Sequence, residues 1–101
     1  MLDKLAAIEA KYSQIEARLA APETYDDPEL VAKLNKEQTE LQPLVETFRT
    51  YQQVKEARDQ AQQLLSDPEM RELAQEELHR ARQERDRLSE ELKRLLDEME
   101  V

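Results

Sequence analysis

One short phrase occurs twice in the chain and divides it into segments: Asp-Pro-Glu followed by a large apolar residue, at 27–30 and at 67–70. Proline moves the residue before it out of helical geometry, and it suits the first position of a helix, where its missing N–H costs nothing. The preceding aspartate then accepts hydrogen bonds from free N–H groups of the first turn. The two phrases therefore predict that helices begin at Pro28 and Pro68, with Asp27 and Asp67 as N-caps.

These two marks, together with the spacing of the apolar residues, predict three helices. The first covers about 2–20, where one apolar stripe recurs at steps of three and four through Leu5, Ile8, Tyr12, Ile15 and Leu19. The second runs from about 28 to 64, and the third from about 68 to 98. Pro43 removes one backbone hydrogen bond within the second helix and crowds the preceding turn, so a kink or a break is expected near Gln42.

The connections between these helices are short, and this decides how the helices are arranged. A connection of a couple of residues folds the second and third helices back as an antiparallel hairpin, along which helix 1 packs. The sequence thus predicts an all-α fold, an elongated antiparallel three-helix bundle with coiled-coil-like packing. Because the chain has 101 residues, of which 39% are charged and only 4% aromatic, we expect one helical domain over 1–101 with a thin core.

The third helix carries two regular lines of residues. The first alternates steps of four and three, as a heptad seam does, through Ala74, Leu78, Ala81, Arg85, Leu88, Leu92, Leu95 and Met99. Arg85 interrupts this seam, either with its guanidinium in water or paired with a carboxylate of another helix. The second line alternates in charge and is interpreted as a solvated face, with a docking edge for a partner as the alternative; it comprises Glu77, Arg80, Glu84, Arg87, Glu91, Arg94 and Glu98.

The composition argues against several classes of function. The chain has no cysteine, one histidine and no glycine, which disfavours thiolate or zinc sites and excludes glycine-rich phosphate loops. We therefore expect no enzyme activity, no cofactor and no metal. A net charge of −9 opposes broad attraction to nucleic acid. No run approaches the roughly 18 apolar residues of a membrane span, and no signal peptide is recognisable, so a cytoplasmic protein is expected.

Two stretches carry a family likeness that periodicity does not supply. MLDKLAAIEAKYSQIEARLAAPE and YQQVKEARDQAQQLLSDPEMRELAQEELHRARQERDRLSEELKRLL closely resemble the N-terminal helical domain of the bacterial peptide chain release factor 1 family. These are the class-I factors that read UAA and UAG stop codons. LLSDPEMRELAQEEL at 64–78 is the most specific part, and residues 31–47 match least distinctively. The resemblance implies that the central and catalytic domains of that family lie outside these 101 residues.

The resemblance implies a role in translation termination, as an auxiliary domain that docks on the ribosome and has no peptidyl-tRNA hydrolysis of its own. The implied partners are protein and rRNA at the stalk base of the large subunit and the class-II release factor GTPase, with no membrane and no DNA. The isolated chain is expected to be a monomer.

The two connections are the expected docking sites, because hairpin tips project beyond the seam; the candidate residues are Glu23, Tyr25, Ser66, Asp67, Glu69 and Met70. The alternative function is a free-standing coiled-coil adaptor or scaffold that dimerises through its heptad seam.

Overall fold

The structure, a computed structural model, describes residues 1–99. Over this range the fold is all-α, as predicted: α1 (Leu2–Ala20), a short 3₁₀ helix (Pro22–Asp26), α2 (Pro28–Leu64) and α3 (Arg71–Met99), without a β-strand among the described residues. The chain divides into two compact units, Met1–Glu46 and a second that begins at Thr47. The division falls within α2, which contributes its first part to one unit and its last part to the other.

The first unit has a small core of aliphatic side chains around one tyrosine. Buried residues from α1 and α2 form this core, and half-buried ones pack around them: Tyr12, Ile15, Leu34, Leu41 and Val45, then Ile8, Leu19 and Leu30. The α1 members are those of the predicted stripe, because steps of three and four keep side chains on one face of a helix. The 3₁₀ helix adds Thr24, which is also buried.

The second unit buries a line of residues from α3 together with residues from the last part of α2. From α3 these are Ala74, Leu78, Ala81, Leu88, Leu92 and Leu96, and from α2 they are Phe48 and Ala61. The line differs from the predicted seam at its end, where Leu96 is buried, Leu95 is only half-buried and Met99 is 43% exposed. An α-helix has 3.6 residues per turn and drifts about 20° per heptad, so the buried face moves on to Leu96.

Pro43 lies within α2 without ending it, because the helix is continuous from Pro28 to Leu64. The break that the sequence allowed at this point is therefore not present. The proline side chain is exposed, so its ring is accommodated on the solvent side of the helix. The next turn of α2 contains Leu44 and Val45, which are almost completely buried.

The two Asp-Pro-Glu phrases do different things in the structure. Asp27 accepts a hydrogen bond on Oδ1 from the Leu30 N–H at 3.2 Å, and α2 begins at Pro28, so Asp27 is an N-cap. Asp67 instead accepts from the Glu69 N–H at 3.0 Å, and its carbonyl accepts from the Met70 N–H at 3.0 Å. The second phrase therefore forms a turn, and α3 begins at Arg71 rather than at about 68.

Candidate functional site

The connection between α1 and α2 is held by hydrogen bonds to the ends of both helices. The Tyr25 hydroxyl donates to the Leu19 carbonyl at 2.7 Å, which satisfies one of the free carbonyls at the C-terminus of α1. Tyr25 is nonetheless 55% exposed, so one edge of its ring faces solvent. Glu23 is exposed beside it and lines a shallow depression with Arg18 and Leu30. This connection offers an aromatic edge and a carboxylate to the surroundings.

The connection between α2 and α3 is tied in the same way. The Ser66 hydroxyl donates to the Gln63 carbonyl at 3.0 Å, and Arg71 Nε donates to the Leu65 carbonyl at 3.2 Å. Three of the predicted docking residues, Ser66, Asp67 and Glu69, are exposed, whereas Met70 is half-buried. The backbone of this connection is therefore fixed, while its two carboxylates remain in solvent.

An apolar groove lies beside this second connection, between the end of α2 and the start of α3. It encloses about 190 Å³ and is lined by six apolar residues, which are Ala57, Ala61, Leu64, Met70, Leu73 and Ala74, with Gln60 and Glu77 at its edges. We call this feature the α2–α3 groove. On each helix the lining residues recur at steps of three and four, so they form one stripe per helix. Two of its three alanines, Ala61 and Ala74, are buried.

The groove is open to solvent and carries exposed apolar surface. Leu64 is 41% exposed and Leu73 is 51% exposed. Leu73 lies outside the heptad seam, next to the buried Ala74. An isolated exposed leucine needs no explanation, but here two of them and Met70 share one concave surface.

The charged line of α3 is a ladder of ion pairs along its outer face. Arg80 contacts Glu77 at 3.1 Å, Arg87 contacts Glu84, and Arg94 contacts both Glu91 and Glu98, the latter at 2.6 Å; all are three or four residues apart. The hydrogen bond from Arg87 lowers the pKa of Glu84, and the hydrogen bond from Arg94 lowers the pKa of Glu91. The charges of this face are thus largely satisfied within the helix.

Arg85, which interrupts the seam, pairs with a carboxylate of its own helix, which neither of the two alternatives gave. Its guanidinium donates to the neighbouring Asp86 carboxylate at 3.1 and 3.2 Å. The side chain is 29% exposed, so its stem is packed while its charged end stays at the surface. His79, on the same helix, is exposed.

Two further features of the chain concern metal binding and membrane spans. Among residues 1–99, no group of three or more histidine or acidic side chains has the geometry to hold a metal ion. Over the same part of the chain, no helix is both long enough and apolar enough to cross a membrane.

The groove is the feature that sequence reasoning missed. Of its lining residues, only Met70 was among the predicted docking residues. The groove depends on which faces of α2 and α3 are opposed, and periodicity does not give this. Leu73 could nonetheless have indicated an exposed apolar surface, because it is a large apolar residue outside the seam, between the charged residues Glu72 and Glu76.

Comparisons with known proteins give one consistent family. The family model described as "PCRF domain" matches residues 8–100. The chain is 38% identical over 96 residues to peptide chain release factor 1 of Geobacter sulfurreducens, covering 95% of this chain and 27% of the relative. It is 42% identical over 78 residues to peptide chain release factor 1 of Exiguobacterium sibiricum, covering 77% of this chain and 22% of the relative.

A third relative agrees with these two. Peptide chain release factor 1 of Caldicellulosiruptor bescii is 37% identical over 99 residues, which is 95% of this chain and 28% of the relative. The chain thus spans about a quarter of the length of the relatives it matches. No solved structure gives a significant match.

Proposed function

Because the chain belongs to the PCRF domain family, we propose that it is the N-terminal helical domain of a bacterial release factor that ends translation at UAA and UAG stop codons. The observation that carries this proposal is the match of the family model to residues 8–100. The likeness to relatives named peptide chain release factor 1 extends over 95% of the chain in two of the three comparisons. That extent is more than a shared heptad pattern in one helix would produce.

Within such a factor we assign the chain a docking role, with no peptidyl-tRNA hydrolysis of its own. The family triggers hydrolysis through a Gly-Gly-Gln loop, and a chain without glycine cannot contain that loop. Its surface features are instead those of a contact domain: exposed carboxylates at both connections, and an open apolar groove beside the second one. The proposed partners are protein and rRNA at the stalk base of the large ribosomal subunit and the class-II release factor GTPase.

The charge of the chain limits how it can meet rRNA. With 24 acidic against 15 basic residues, the chain as a whole repels phosphate, so each phosphate contact needs an individually placed lysine or arginine. Several arginines of α3 are already engaged by carboxylates of the same helix. Contacts to ribosomal protein are therefore favoured over an extended contact to rRNA.

A deletion in the complete factor tests this role. Removing the segment equivalent to residues 1–101 should leave stop-codon-dependent peptide release intact on ribosomes saturated with the factor, and should slow turnover assisted by the GTPase. The isolated chain, added alone, should release no peptide. Loss of peptide release by a truncated factor that remains folded would refute the auxiliary role.

The structure offers less support for the alternative, an adaptor that dimerises through its heptad seam. Seam residues such as Leu78, Leu88 and Leu92 are already buried within the single chain, at 6%, 4% and 0% exposure. A second copy would have to displace that packing to reach them. Sedimentation equilibrium on the isolated chain distinguishes the two functions, since the docking role predicts a monomer at micromolar concentration.

A further inference from the structure

The α2–α3 groove has the dimensions of a site for side chains of another protein. Its volume of about 190 Å³ is below the range of roughly 300–1,000 Å³ that is usual for small-molecule sites. Its stripes run from Ala57 to Leu64 on α2 and from Met70, just before α3, to Glu77 on α3. At 1.5 Å per residue each stripe is about 10 Å long, or two helical turns. A helix laid along the groove would therefore place two or three apolar side chains in it.

The connection and the start of α3, which border the groove on one side, are acidic. Between Ser66 and Glu77 the chain has five carboxylates and one arginine, and all of the carboxylates are exposed. In the part of the chain that the structure describes, Glu69, Glu72 and Glu76 form no ion pair. The arginine, Arg71, donates to the Leu65 carbonyl and not to any of these carboxylates.

This combination excludes two occupants and favours a third. A second copy of the chain, with a net charge of −9, would bring two acidic rims together, and like charges at an interface are costly. Nucleic acid would meet the same repulsion from its phosphates. A helix with an apolar stripe flanked by lysine or arginine satisfies both the groove and its rim, which is a common way for a helix to bind in a groove.

We propose that the α2–α3 groove binds a basic amphipathic helix of a partner protein. The apolar side chains of that helix lie between Leu64 and Leu73, and its cations face Glu69, Glu72 and Glu76. The proposal gives the docking role a partner chemistry, but it rests on the groove and its charges alone. It is tested on the isolated chain, so its failure is distinguishable from failure of the deletion experiment.

The test uses three fluorescent peptides of four helical turns, each held helical by a side-chain staple. The first has leucines at i, i+3, i+4 and i+7 with lysines on both sides. The second has the same residues in an order that breaks the stripe, and the third has glutamates in place of the lysines. Fluorescence anisotropy should show binding of the first peptide with a Kd below about 1 mM, at least about tenfold tighter than either control. Equal binding of the shuffled or the acidic peptide, or no binding of the first, would overturn the proposal.

Matched variants of the chain locate the binding. Leu73→Ser should weaken binding of the first peptide about tenfold, because truncating an anchor at the centre of an interface has effects of this size. Leu2→Ser removes a leucine of similar exposure, 43%, outside the groove and should leave the Kd unchanged. Glu76→Gln should weaken binding more at low salt than at high salt, whereas Asp97→Asn, on the same helix, should have no effect. Equal effects of the two leucine variants, or of the two carboxylate variants, would contradict the assignment to the groove.

Discussion

Leucine-to-alanine substitutions at three neighbouring positions of α3 test whether the buried face drifts out of the heptad register. Leu92 is completely buried at 0% exposure, Leu96 is nearly so at 8%, and Leu95 is only half-buried. Truncation to alanine removes three carbons, which at ~0.8 kcal/mol each gives ~2.4 kcal/mol of lost burial. The cavity left behind adds to this, so that fully buried leucines cost about 2.7–5.0 kcal/mol.

We therefore expect Leu92→Ala to lower the free energy of unfolding by ~3 kcal/mol and Leu96→Ala by ~2–3 kcal/mol. Leu95→Ala should cost less, ~1.5 kcal/mol, because part of the side chain is in water before the substitution. The seam expected from the sequence gives the opposite order, since it places Leu95 in the core and Leu96 outside it. Whether Leu95→Ala or Leu96→Ala costs more therefore shows whether the buried face of α3 follows the heptad seam or drifts away from it.

The measurement is urea unfolding followed by far-ultraviolet circular dichroism, with the slope m compared across variants to check that the transition remains two-state. Leu73→Ala is the control, because this leucine is 51% exposed and its truncation should cost ~1 kcal/mol, less than any of the three substitutions. A cost for Leu95→Ala equal to or greater than that for Leu96→Ala would refute the drift and restore the heptad seam.

Three further expectations concern helix ends, the proline and acid stability. Asp27→Ala should destabilise the chain by ~1 kcal/mol through loss of a helix N-cap. Asp67→Ala should destabilise it less, because it removes only a hydrogen bond within a turn. Urea unfolding of both variants measures the two losses, and a larger loss for Asp67→Ala would contradict this assignment. Pro43→Ala should raise the free energy of unfolding, by up to ~3 kcal/mol, because it restores a donor inside a continuous helix; a decrease would show that the proline is needed there. The hydrogen bond from Arg87 lowers the pKa of Glu84 in the folded chain. The ionised Glu84 carboxylate therefore stabilises the fold above the unfolded glutamate pKa of about 4.3. This stabilisation is lost as the pH falls through the lower folded-state pKa. On acidification from neutral pH, the free energy of unfolding should therefore fall less for Glu84→Gln than for the unsubstituted chain. Parallel pH profiles of the two free energies would contradict this.

The fold class and the first two helices follow from local patterns in the sequence, whereas the start of α3 does not. Both aspartates precede a proline, and the residue preferences at the two positions are nearly identical. The difference lies in what comes before them. The 3₁₀ helix at Pro22–Asp26 has already reversed the chain before Asp27, but α2 ends at Leu64, so the second phrase must itself make the reversal. That requirement comes from the packing of the hairpin and is not visible in the phrase.

The candidate site was predictable only in outline. The connections were expected to be exposed from their position between helices, and Ser66, Asp67 and Glu69 are exposed. The groove beside them depends on small distances between two helices. Ala57, Ala61 and Ala74 read as ordinary helix-forming residues in the sequence, and only their opposition makes a concave surface. The register change at Leu96 was hidden for a related reason, because a heptad pattern and a straight helix diverge only after several turns.

The backbone of residues 1–99 never enters the left-handed region, since no residue in that range has a positive φ. Many helices end on a glycine in that conformation, which satisfies the last carbonyls through the backbone. Here Tyr25, Ser66 and Arg71 supply side-chain donors to carbonyls at the helix ends. A consequence appears in the unfolded chain, because glycine is the residue that loses most conformational freedom on folding. A chain without glycine starts from a narrower unfolded ensemble. Where the native backbone permits it, an alanine in place of a glycine stabilises the folded state by about 0.4–1 kcal/mol, because it reduces the conformational entropy of the unfolded chain. Part of this protein's stability therefore comes from the smaller entropy that its unfolded chain loses on folding.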